Sequence, residues 1–120
     1  MRLKVEVVLE DGDAAELDQL TNHLRRELLL LDIQAVDRLY VGEPPEGARA
    51  FQIAALGALL VKLAPETLKA VIGAAQNWLR GSSGRTVHLE VAGDKLDLTG
   101  VTSAQQQQLI DDWIRRHSQG

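Results

Sequence analysis

The chain has 120 residues, of which 45% are hydrophobic and 25% charged, with a formal net charge of −4. This length suits one domain over residues 1–120 with a single hydrophobic core, and the composition is that of a globular protein. The absence of cysteine excludes a disulfide scaffold, a thiolate nucleophile and a thiolate metal site. The acidic balance argues against binding to a nucleic-acid backbone, which needs clustered lysine and arginine.

The first predicted elements are a strand, a helix and a second strand. Apolar and polar residues alternate from Leu3 to Leu9, which is typical of a strand with one buried face. Asp13 followed by Glu16 is a helix N-terminal capping pattern. The leucines that follow recur at helical spacing: Leu17, Leu20, Leu24, Leu28 and Leu31. Residues 32–41 are predicted as the second strand, which would complete a right-handed βαβ unit if it lies parallel to the first.

The segment over residues 50–79 is apolar almost throughout, and it follows a Gly/Pro/Glu loop over residues 42–47. Pro65 interrupts the segment and suits the first position of a new helix. The apolar face of that helix is predicted to hold Leu68, Val71, Ile72, Ala75 and Leu79. We therefore predict an inserted apolar helical hairpin over residues 50–80.

Three interpretations of this hairpin are open: internal core, membrane insertion, or contact with another protein. A membrane span needs about 20 consecutive apolar residues, whereas Lys62, Glu66 and Lys69 lie in the middle of this segment. The first half is apolar on all sides, and a large apolar surface on a soluble protein usually marks an interaction site. The interface hypothesis assigns these residues to the contact: Phe51, Leu56, Leu59, Leu60, Leu63, Val71 and Ile72.

A β-hairpin and a last helix complete the chain. Alternation around Val87, Leu89 and Val91 predicts a strand, and Gly93-Asp94 predicts a two-residue turn that sets Leu89 opposite Leu98. In that register Glu90 lies opposite Asp97.

The last helix is predicted to begin with a capping box formed by Thr102 and Gln105. Its buried stripe is predicted to hold Leu109, Ile110, Trp113 and Ile114. The expected fold is α+β, in the order βαβ-αα-ββα: a four-stranded mixed sheet with two packed helices and the inserted helical hairpin.

No constellation of catalytic residues is evident in the sequence. His23, His88 and His117 fall on three different elements, without ligand-spaced partners. His88, Glu90 and Asp97 share one side of the predicted hairpin, where a cation is conceivable but a solvated surface is the ordinary outcome. We therefore predict no enzymatic activity, no cofactor and no metal. The alternating N-terminus is unlike a secretory signal, so the expected location is the cytoplasm.

Five stretches of the sequence carry a resemblance to a known family: residues 17–28, 42–49, 56–65, 77–80 and 87–100, the last followed by a glutamine-rich helix. The Gly-Glu-Pro-Pro-Glu-Gly-Ala-Arg loop and the Leu-Ala-Pro break are the more specific of these. In them the chain resembles the effector-associated constant component family, small domains of bacterial conflict and self/non-self signalling systems. The resemblance implies a non-enzymatic accessory protein that works beside a separate effector, such as a peptidase or a nucleotide-dependent switch protein.

The sequence thus predicts an adaptor or scaffold that forms homo-oligomers through residues 51–79 and contacts an effector protein. No nucleic-acid partner is expected. The alternative is a membrane-active component whose central apolar hairpin inserts after a trigger.

Overall fold

The computed structural model describes residues 1–10, 14–39, 56–80 and 84–118. The elements follow in the order β1 (Arg2–Leu9), α1 (Ala14–Leu29), β2 (Ala35–Leu39), β3 (Leu56–Lys62), a 3₁₀ turn (Pro65–Thr67), α2 (Leu68–Leu79), β4 (Arg85–Val91), β5 (Asp94–Thr99) and α3 (Ala104–Ser118). The predicted α+β class is confirmed, while the loop over residues 42–47 lies outside the described residues.

The five strands form one sheet in the order β2-β3-β1-β4-β5. Every neighbouring pair is antiparallel, so the predicted four-stranded mixed sheet is corrected to five antiparallel strands. β1 and β2 run in the same direction, which is the condition set for a βαβ unit, but β3 lies between them. The first six of these helices and strands therefore have the β-α-β-β-α-β order of the split βαβ, or ferredoxin-like, motif. β5 and α3 extend that motif at one edge.

The predicted helical hairpin over residues 50–80 is wrong over residues 56–62, and residues 50–55 lie outside the described residues. Leu56–Lys62 is a strand that pairs with both β1 and β2, so it belongs to the sheet and is not an insertion. The face of this strand opposite the core carries Ala58 and Leu60, which are apolar like the core-facing Leu59 and Val61, so its sequence is a continuous apolar run. Such a run cannot be distinguished from a buried helix by periodicity.

The helices cover one face of the sheet. Leu3, Val5 and Val7 of β1 point into this layer and are buried, whereas the residues between them are at least partly exposed. The second half of the apolar segment is helical as predicted, and the α2 face named from the sequence is the buried one: Leu68, Val71, Ile72, Ala75 and Leu79. The core therefore lies between the sheet and the helices, and it is almost entirely aliphatic apart from Trp113.

The β4–β5 hairpin is confirmed, with a register two residues from the predicted one. Val91 pairs with Asp94, so the turn residues are Ala92 and Gly93 rather than Gly93 and Asp94. Both have positive φ, 51° and 87°, as a type I′ turn requires. A shift of two residues keeps each side chain on its predicted face, which is why apolar pairs still meet. It places His88, not Glu90, opposite Asp97.

Helix α3 begins one residue later than its predicted capping box. Ser103 Oγ accepts a hydrogen bond from the Gln106 backbone N–H at 3.1 Å, and Gln106 Oε1 accepts one from the Ser103 N–H at 2.9 Å. These reciprocal bonds satisfy two N–H groups at the helix start. Ile110 and Trp113 are buried as expected, but Leu109 is 65% exposed. The buried stripe of α3 is therefore narrower than the sequence predicted, and Leu109 lies at the surface.

Candidate interaction surface

The face of the sheet opposite the core carries a band of charged side chains. Pairing across β1, β4 and β5 places Glu6 beside His88 and His88 beside Asp97, and in the next row it places Lys4 beside Glu90. The band lines a shallow depression of about 340 Å³ formed by Lys4, Glu6, His88, Leu89, Glu90, Lys95 and Asp97. The exposed side of the hairpin inferred from the sequence is thus part of a larger polar surface.

Opposite charges on this polar surface pair with one another. Lys4 Nζ lies 2.8 Å from Glu6 Oε1, and the hydrogen bond to Glu6 together with its charge raises the pKa of Lys4. His88 Nδ1 contacts Asp97 Oδ1. Over the described ranges, no group of three potential ligands among His, Asp and Glu is placed to hold a metal ion. The arrangement is that of a mixed-charge, solvated surface, where such pairs contribute little to stability.

The residues assigned to an interface from the sequence lie mainly in the core. Leu59, Leu63 and Ile72 have no exposed surface and Val71 has 1%, so none of the four is available to a partner in this fold. Leu60 points to the opposite face of β3 and is half-buried. Phe51 and the side chain of Leu56 lie outside the described residues. Packing between the sheet and the helices therefore accounts for the four buried residues, which belong to the core.

The two edges of the sheet differ in how they are covered. At the β2 edge, Arg25 Nε of α1 donates a hydrogen bond to the Val36 carbonyl at 3.0 Å. At the β5 edge, the type I′ turn makes Asp94 and Val91 of β4 a backbone hydrogen-bonded pair. Hydrogen-bonded and non-hydrogen-bonded pairs alternate along two antiparallel strands, so the backbone N–H and C=O groups of Lys95 and Asp97 point away from β4. These outward N–H and C=O groups have no hydrogen-bond partner within the described part of the chain. Among the described residues, β5 therefore presents an unpaired strand edge.

A groove of about 240 Å³ runs between the β5 edge and α3. Leu96 and Leu98 of β5 and Leu109 of α3 contribute apolar surface to it. Leu109 is 65% exposed, and Val101, in the connection between β5 and α3, is 81% exposed. We call the outward edge of β5 together with Leu109 and Val101 the β5 edge surface. Sequence periodicity missed it because it assigned Leu109 to the buried stripe.

The last turn of α3 is attached to the start of β5 by a polar cluster. Asp94 Oδ2 lies 2.6 Å from His117 Nε2 and 3.0 Å from Arg116. The hydrogen bond from His117, followed by that from Arg116, lowers the pKa of the Asp94 carboxyl. The His117 ring packs on buried Trp113 with 4.5 Å between ring centroids. These contacts hold α3 alongside β5, and so they keep the two walls of the groove in position.

The remaining histidine, His23, takes part in a contact between helices. The Trp78 indole N–H of α2 donates to His23 Nδ1 of α1 at 3.1 Å. The Arg85 guanidinium lies 5.4 Å from the centre of the Trp78 ring. This cluster connects α1, α2 and β4, which is a packing role rather than a chemical one.

Compared with protein-family models and with curated proteins, the chain matches none of them. Among the described residues, no helix has the length and apolar character needed to cross a bilayer.

Proposed function

We propose that this chain is a non-enzymatic scaffold or adaptor that acts by self-association and by contact with an effector protein. In keeping with the family it resembles, the proposed setting is a bacterial conflict or defence signalling system in the cytoplasm. The effector would then be a separate peptidase or nucleotide-dependent switch protein.

The observation that carries the proposal is the β5 edge surface. An unpaired edge offers a row of hydrogen-bonding groups to another strand. Here the edge lies beside two well-exposed apolar side chains, Leu109 and Val101. Apolar surface that adjoins an open edge favours contact with another protein.

The titratable side chains of the described surface favour a binding role over a catalytic one. Lys4 pairs with Glu6, His88 with Asp97, and Asp94 with both Arg116 and His117. These side chains lie at the surface or in a shallow depression, and among them only His117 is largely buried, whereas a catalytic acid, base or nucleophile is usually set in a deeper cleft.

The proposal is tested by the molar mass of the purified chain in solution, measured by size exclusion with multi-angle light scattering. A small interface gives weak association, so the measurement should extend to about 1 mM protein, where even a millimolar dissociation constant is visible. We expect a mass that rises with concentration from 13.1 kDa towards a defined multiple of it. A constant 13.1 kDa would remove self-association from the proposal.

A matched pair of substitutions locates the contact. Val101 and Leu30 are both 81% exposed, but Leu30 follows α1 and lies outside the β5 edge surface. We expect Val101→Glu to weaken association and Leu30→Glu to leave it unchanged. The reverse result would place the contact at the end of α1 instead.

A further inference from the structure

The backbone geometry of β5 restricts how a second copy of the chain could pair with it. In an antiparallel pair, opposed residues must both direct their backbone groups toward the partner or both away from it. In β5 the outward residues are Lys95, Asp97 and Thr99, because the turn makes Asp94 bond to β4. A twofold pairing of two β5 strands must therefore be centred on a residue and cannot be centred between two.

Two such centres allow five residues of each strand to overlap. A pairing centred on Asp97 places this carboxylate opposite its own copy, which is unfavourable. A pairing centred on Leu96 places Lys95 of each copy opposite Asp97 of the other. The sequence of β5, Asp-Lys-Leu-Asp-Leu-Thr, is thus complementary to itself in one register.

We infer that two copies of this chain associate through antiparallel β5–β5 pairing centred on Leu96. This inference rests on the proposed self-association and names its interface. Lys95 and Asp97 exchange backbone hydrogen bonds twice across the twofold axis, and their side chains form two ion pairs. The two five-stranded sheets become one continuous sheet of ten strands.

The apolar side of the same edge fits this pairing. Leu96 of each copy meets its equivalent at the axis, on the face that carries the helices. Leu109 and Val101 flank the joined strands, so their exposed surface would be reduced on association. Asp94 lies opposite Leu98 of the second copy and keeps its own partners, His117 and Arg116.

Charge reversal with complementation tests this register. Lys95→Asp places Asp opposite Asp97 at both ends of the pair, and Asp97→Lys places Lys opposite Lys95 at both ends. We expect each variant alone to lose dimer and to elute at 13.1 kDa. An equimolar mixture of the two variants pairs opposite charges throughout, so it should recover the wild-type dimer mass, as should the double variant Lys95→Asp/Asp97→Lys.

The mixture separates the interface from effects within one chain. Asp97→Lys also removes the contact with His88, and Lys95→Asp brings a carboxylate opposite Glu90. Both of these effects within one chain persist in the mixture, so they cannot explain a dimer that the mixture recovers. Lys69→Asp, an exposed charge reversal on α2, is the control and should leave the dimer unchanged. A wild-type dimer unaffected by either reversal would overturn this register while leaving self-association standing, as would a mixture that stays monomeric. A wild-type monomer would overturn both.

Discussion

Gly57 of β3 lies directly against Thr21 of α1. A Cβ atom built on Gly57 would fall 2.0 Å from Thr21 Oγ1 and 3.1 Å from Thr21 Cβ. Thr21 is fully buried, and its hydroxyl donates a hydrogen bond to the Leu17 carbonyl at 2.7 Å, which fixes its position. The missing side chain at Gly57 therefore sets how closely α1 approaches the sheet.

The first prediction follows from this contact. Gly57→Ala should destabilise the chain by about 1–3 kcal/mol, because the added methyl overlaps a buried side chain that cannot move without shifting α1. Urea unfolding followed by circular dichroism measures this change. Removing the obstructing hydroxyl as well, in Gly57→Ala/Thr21→Ala, should cost less than the sum of the two single changes.

Gly73 provides the control for the chemistry of the substitution. It lies on the exposed side of α2, and a Cβ atom there meets nothing within 4 Å. Gly73→Ala should therefore stabilise the chain by about 0.5–1 kcal/mol through helix propensity. Destabilisation of similar size at both positions would show that close packing at Gly57 is not the cause.

The sequence predicted most elements correctly, and the exception has a physical origin. β1, α1, α2, the hairpin and α3 each have one buried and one exposed face, so their periodicity is visible. β3 carries apolar side chains on both faces, because Ala58 and Leu60 lie on the face opposite Leu59 and Val61. Its residues are therefore apolar in succession, and the two side chains Leu59 and Leu60 point to opposite faces although both are leucine.

The candidate surface was harder to predict than the fold. Whether an edge is open depends on the strand order and the hairpin register, and neither follows from local pattern. Two turns were compatible with alternation between Val87 and Leu98, and both kept apolar residues together. Only the observed one turns the backbone groups of Lys95 outward and pairs Glu90 with Lys95.

The second prediction compares Leu59 and Leu60, adjacent residues on opposite faces of β3. Leu59→Ala should cost about 2–5 kcal/mol because the side chain is completely buried in the core. Leu60→Ala should cost no more than about half of that, since the side chain is only partly buried. Thermal or urea unfolding of the two variants measures the difference. Equal costs would be expected of a helix buried on all sides and would contradict the strand assignment.

The third prediction concerns the turn between β4 and β5. Ala92 has a φ of 51°, in the left-handed region that an alanine side chain disfavours. Asn tolerates this region and is favoured at the first position of a type I′ turn. Ala92→Asn should therefore raise the free energy of unfolding by about 0.5–1 kcal/mol, read from the midpoint of urea unfolding.

Gly93 supplies the opposite case in the same turn. Its φ is 87°, and a Cβ atom at this position would meet nothing within 4 Å, so a substitution changes backbone strain without a clash. Gly93→Ala should destabilise the hairpin by about 1 kcal/mol. Should Ala92→Asn destabilise while Gly93→Ala destabilises as well, the turn would instead lie at the position predicted from the sequence, where Gly93 is the first turn residue and Ala92 belongs to the strand.

The last prediction concerns Asp94 and acid. Hydrogen bonds from His117 and Arg116 lower the pKa of this carboxyl in the folded chain. The unfolded chain then binds more protons as the pH falls through this range, so acid favours unfolding. The stabilisation that ionised Asp94 provides is present above about pH 4 and is lost as the pH falls through the lowered pKa.

Asp94→Asn should therefore reduce stability at neutral pH, and its difference in stability from the wild type should shrink below about pH 4 and vanish once the pH has fallen through the lowered pKa. Chemical unfolding measured at a series of pH values gives this difference, and subtraction cancels the titration of the other carboxylates. Asp32→Asn is the control, because Asp32 is exposed and has no ion pair in the described structure. A stability difference for Asp94→Asn that stays constant from about pH 7 to about pH 2 would mean that the carboxyl group contributes through packing rather than through its charge.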